Sequence, residues 1–80
     1  MISEFDVLEI PEARGVRRLT TAEAIEEAGT PDQIPRDEYW VAFTVGASVY
    51  TMQLGGPPGT VSEQQAADIA TAYHDRLAGA

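Results

Sequence analysis

With 80 residues, 44% of them hydrophobic, and no cysteine, the chain can support one hydrophobic core but no disulfide scaffold, thiolate metal site or cysteine nucleophile. Thirteen acidic residues against five arginines and no lysine give a net charge of −8, which opposes close approach to a phosphate backbone over most of the surface. No apolar run reaches the length of a membrane helix, and Met1-Ile2-Ser3-Glu4 lacks the basic region and apolar run of a signal peptide, so a single-domain cytoplasmic protein without a cofactor is expected.

Arginine to the exclusion of lysine, beside abundant alanine and glycine, is the coding bias of a GC-rich genome, such as that of an actinobacterium or a phage infecting one. In chain order, Glu4 to Ile10 reads as a strand with imperfect alternation, Phe5 and Val7 pointing one way and Leu8 and Ile10 the other. Arg14 to Leu19 fits a second short strand or a basic loop. Thr20 with Glu23 makes a capping box, Leu19 can staple onto Ala24, and Gly29 stands where a C-terminal cap belongs, which predicts a two-turn helix over about residues 21 to 28. Thr30 to Asp37, with Pro31 and Pro35, is a connecting loop.

The strongest signal is Glu38 to Leu54, rich in β-branched and aromatic residues and interrupted by Gly46. A type II′ turn at Gly46-Ala47 pairs Val45 with Ser48, Phe43 with Tyr50, Val41 with Met52 and Tyr39 with Leu54 on one apolar face. The other face receives Trp40/Gln53, Ala42/Thr51 and Thr44/Val49. Gly55-Gly56-Pro57-Pro58-Gly59 must be a turning loop. Ser62 then caps a helix from Glu63, with Gln65 completing a capping box and Val61 able to staple onto Ala66. Ala66, Ile69, Ala70, Tyr73 and Leu77 form its apolar stripe, expected to lie on the hairpin, and Gly79 ends it.

These elements give an α+β domain in the order β-α-β-β-α: a three-stranded, mainly antiparallel sheet, four-stranded if Arg14–Leu19 pairs, with two helices packed on one face. Catalytic chemistry finds no support in this pattern. His74 has Ala70, Thr71, Leu77 and Ala78 as helical neighbours, none of them a strong ligand, and reads as a solvent-flank residue that adjacent Asp75 does not orient. Glu26-Glu27 and Asp37-Glu38 are carboxylate pairs of neighbours, read as solvated faces. Ser3, Ser48 and Ser62 belong to a terminus, a turn and a cap. The glycine-rich loop at 55 to 59 lacks the Lys-Ser/Thr of a phosphate loop, and Pro57 and Pro58 remove amide donors.

Two features point to a partner. Arg14, Arg17 and Arg18 form a basic patch in an acidic chain, to be paired internally with Glu9 or Glu12, to meet an acidic partner, or to touch a phosphate. Trp40 lies beside Val49, Thr51 and Gln53 on the sheet face opposite the main core, where it either builds a small second core with Phe5, Val7 or the first helix or forms an interface with a second copy or a partner. Glu23, Glu26 and Glu27 supply an acidic helix surface. The expectation is a small non-enzymatic protein-binding module, an inhibitor or modulator of the phage-encoded, immunity or antitoxin type, that occludes a surface on a larger protein, basic or nucleic-acid-handling. A structural homo-oligomer or assembly subunit is the alternative, and a small enzyme with a site shared between subunits is a third.

Overall fold

The computed structural model describes residues 1–79. Among them the elements run β1 (Ile2–Phe5), β2 (Arg14–Thr20), α1 (Ala22–Ala28), β3 (Arg36–Val45), β4 (Ser48–Gly56) and α2 (Glu63–Ala78). The class is α+β, and the strands form one antiparallel sheet in the order β1-β2-β3-β4. The chain order is therefore β-β-α-β-β-α, with Arg14–Thr20 a full strand paired on both sides rather than an optional fourth.

The β3–β4 hairpin has the register expected from its turn: Val45 pairs with Ser48, Phe43 with Tyr50, Val41 with Met52 and Tyr39 with Leu54. Gly46 takes φ +60° while Ala47 has no positive φ, as a turn with glycine at its first central position requires. Tyr39, Val41 and Phe43 are buried on the face that α2 covers, whereas Trp40 and Ala42 on the other face are half-buried. That alternation fixes which side of the sheet holds the core.

The first strand ends at Phe5 and does not continue to Ile10. Beyond it the chain turns twice, Ile10 N–H donating to the Val7 carbonyl (3.2 Å) and Ala13 N–H to the Ile10 carbonyl (3.3 Å), with Glu12 at φ +62°. This fold-back sends both Val7 and Ile10 into the core and leaves Leu8 87% exposed. The broken alternation of Phe5, Val7, Leu8 and Ile10 is thus the pattern of a looped segment, whose inward positions need not be two apart.

Ser62 caps α2, its hydroxyl accepting from Gln65 N–H at 3.1 Å. The helix rests on β3 and β4 through Ala66, Ala67 and Ala70, all buried, so its smallest residues meet the sheet and the backbones approach closely. The expected stripe is consequently rotated. Leu77 stays partly buried, but Ile69 and Tyr73 turn to the flank, 45% and 48% exposed. In α1 the cap is Thr21, accepting from Ala24 N–H at 3.1 Å, one residue beyond Thr20 and its capping box, and Gly29 closes the helix at φ +67°.

Only α2 joins the core; the expectation that both helices pack on one face fails for α1, whose single buried residue, Ile25, lies outside the core cluster. Seven residues carrying Glu23, Glu26 and Glu27 offer too narrow an apolar face to cover a sheet. The molecule is elongated, 46 × 22 × 19 Å, with a radius of gyration of 14.6 Å. A compact chain of this length would have about 12 Å. No helix among the described residues is long and apolar enough to cross a membrane.

Candidate protein-binding surface

Pairing of β2 with β3 sets Arg17 opposite Tyr39 and Arg18 opposite Glu38. Successive strand residues point to opposite faces, so the arginines part company. On the helix side Arg17 clasps Asp37 with two bonds of 2.8 Å, and the Tyr39 hydroxyl donates to the same carboxylate at 3.1 Å. The guanidinium lies 5.5 Å from the centre of the Tyr39 ring. Asp37 is only 3% exposed. The hydrogen bond from Arg17 holds its carboxyl below the usual range against the opposing effect of burial, and Arg17 is in turn held more firmly protonated by that bond. Burial raises the Tyr39 phenol, and its bond to Asp37 adds to the shift.

On the opposite face Arg18 donates to Glu38 at 3.0 Å and Arg36 approaches the same oxygen at 4.0 Å. Arg18 also lies over the Trp40 ring, 5.7 Å from its centre. Glu38 is 6% exposed beneath these cations. Its register partner on β4 is Gly55, where a Cβ would come within 3.1 Å of Arg36 Nη2, so the glycine leaves room for the Arg36 side chain.

These contacts correct two readings. Asp37 and Glu38 are not a solvated pair but are buried and ion-paired; because they face opposite sides of the sheet they cannot share a substrate as acid and base. Arg17 and Arg18 pair internally, with Asp37 and Glu38 rather than with Glu9 or Glu12. The signal was present in the sequence: Arg-Arg and Asp-Glu are consecutive pairs on strands that become neighbours once Arg14–Thr20 is read as a strand.

Trp40 occupies the middle of the uncovered face. Strand register puts Val16, Arg18, Arg14 and Ala42 with it on one side, and Gln53, Thr51 and Val49 on the β4 side, the last three exposed. The second core with Phe5 or Val7 does not form, since both belong to the helix-side core. Register gives this face Arg14, Arg18 and Arg36 against Glu4 and Glu38, so three of the five arginines of a −8 chain lie on it. Of the expected partner residues, the face therefore gathers Trp40, Val49, Thr51, Gln53, Arg14 and Arg18. Arg17 is on the other face, and Glu23, Glu26 and Glu27 stand exposed on α1.

His74 departs from its expected place. Its side chain is 19% exposed, its ring meets Phe43 edge-on at 5.4 Å, and Nδ1 lies 3.2 Å from Asp75 Oδ1. It packs at the core margin instead of on the solvent flank, and Asp75 does reach it. Among the described residues no three His, Asp or Glu side chains are grouped to hold a metal. One groove, about 580 Å³, has Glu4, Asp6, Glu12 and Arg14 in its lining and no histidine, serine or threonine beside them.

Compared with protein-family models, with curated proteins and with solved structures, the chain matches none of them.

Proposed function

We propose that this chain is a non-enzymatic binding module that acts by covering a surface of a larger protein with the open face of its sheet. The observation that carries the reading is Trp40, half-buried at the middle of a face that α2 leaves uncovered and stacked under Arg18. Tryptophan and arginine are the residue types that dominate binding energy in protein interfaces, and flanking exposed positions such as Thr51 and Gln53 exclude water around such an anchor. Ion pairing to Glu38 holds Arg18 in place before a partner arrives, which lowers the ordering cost of association. The acidic remainder of the surface, including Glu23, Glu26 and Glu27, favours a basic or nucleic-acid-handling protein through long-range steering.

Affinity capture from a host lysate, run in parallel with wild type and Trp40→Ala and followed by mass spectrometry, tests this. A stoichiometric partner that wild type recovers at physiological salt and Trp40→Ala loses is the expected result. Equal recovery by the two proteins excludes the Trp40 face. Recovery indifferent to salt removes the electrostatic steering, and charge reversal at Glu23, Glu26 and Glu27 reports on α1 separately.

A further inference from the structure

The sheet has two edges that differ sharply. β1 is four residues long and carries Glu4, the short charged edge by which natural sheets discourage further pairing. β4 is nine residues long, Ser48-Val49-Tyr50-Thr51-Met52-Gln53-Leu54-Gly55-Gly56, about 30 Å of strand. It contains no charge and no proline, and its register with β3 runs unbroken through nine pairs without a bulge. Its outer N–H and C=O groups thus lack the usual protections.

Beside this edge lies the exposed flank of α2. The Tyr73 ring sits 6.4 Å from that of Tyr50, which places the flank on the β4 side of the helix. Ile69, Ala72, Tyr73, Arg76 and Leu77 line a shallow groove there, Ile69 and Tyr73 nearly half exposed. Neither β4 nor this groove includes any of the thirteen acids, and Arg76 is their one charge.

We propose that β4 and the adjacent flank of α2 form the interface of a homodimer, in which two copies pair β4 with β4 antiparallel about a two-fold axis and continue the sheet. The occupant is a second copy because this is the side on which two chains of −8 meet without bringing acids together. A two-fold axis normal to the sheet also preserves the faces: residues opposite one another share a side, so Tyr50, Met52 and Leu54 meet their counterparts beneath the two α2 flanks. Ile69 and Tyr73 then pack across the axis. Such a contact adds apolar burial to a thin, elongated domain. The Trp40 face remains open on the far side, so this inference stands independently of the binding reading.

Sedimentation equilibrium of the full chain from micromolar to hundreds of micromolar tests it, beside Ile69→Glu and Tyr73→Glu, with circular dichroism to verify folding. Wild type is expected as a dimer, and each variant as a folded monomer or as a dimer whose affinity is weakened at least about tenfold. Hydrogen exchange on wild type needs no variant: the outward amides of β4 should be protected in concentrated solution and lose protection on dilution. A wild-type monomer throughout overturns the proposal, as do a dimer unaffected by both folded variants, outward amides that exchange fast at every concentration, and open-ended growth by pairing β4 with β1.

Discussion

Asp37 and Glu38, adjacent in sequence, point through opposite faces of the sheet, and each is met there by its own arginine from β2. The two ion pairs differ in geometry and exposure. Arg17 grips Asp37 bidentately with its side chain 31% exposed, while Arg18 makes one bond to Glu38 and is 52% exposed. Removing Arg17 strands a buried carboxylate that retains only the Tyr39 hydroxyl, whereas Glu38 keeps Arg36 nearby. Arg17→Ala should therefore cost about 2–3 kcal/mol. Arg18→Ala should cost under about 1 kcal/mol. Urea denaturation of both variants checks this, and equal losses would refute the distinction.

The same carboxylate predicts a pH dependence. Its folded pKa lies below the unfolded value, set chiefly by the Arg17 hydrogen bond, so the stabilisation is complete above the ordinary carboxylate pKa of about 3.9 and is lost as pH falls through the folded value. Asp37→Asn keeps the shape and removes that titration. The stability gap between wild type and Asp37→Asn should be largest near neutrality and narrow steadily below about pH 4. A gap constant from pH 7 to pH 2, measured by urea midpoints, would show that Asp37 does not carry it.

How far the sequence could be read depended on whether the deciding contacts were local. The hairpin register followed from one glycine and an alternating pattern, and the cap of α2 from Ser62 and Gln65, because turn and capping chemistry act within a few residues. The same local chemistry sets Trp40 on the face opposite the core. The partners of Arg17 and Arg18 lie 20 residues away, and only the pairing of β2 with β3 brings them together. Likewise the rotation of α2 onto Ala66, Ala67 and Ala70 is decided by the sheet beneath it, since periodicity alone allows Ile69 and Tyr73 the same stripe.

The turn of the hairpin offers a separate check. Gly46 has φ +60° with nothing within 4 Å of a Cβ placed there, so an added side chain meets conformational strain and no clash. Gly46→Ala should cost about 1 kcal/mol, and Gly46→Asn, which tolerates the left-handed region better, less. Thermal denaturation of the two variants tests the order; Asn costing as much as Ala would mean that positive φ is not what the turn requires.

Gly15 carries a different constraint. It pairs with Phe5 across β1 and β2, and a Cβ at this position would lie 2.5–2.7 Å from three atoms of the Phe5 ring. The ring covers the glycine and meets Tyr39 edge-on at 5.9 Å, so it cannot yield without disturbing the core. Gly15→Ala should cost about 2 kcal/mol even though its φ is not positive and alanine suits a strand better than glycine does. If displacement of Phe5 is the cause, trimming that ring should relieve it: Gly15→Ala should be much less harmful in a Phe5→Leu background, with a coupling of about 1 kcal/mol or more. Strictly additive effects in the double variant would locate the penalty elsewhere in β2.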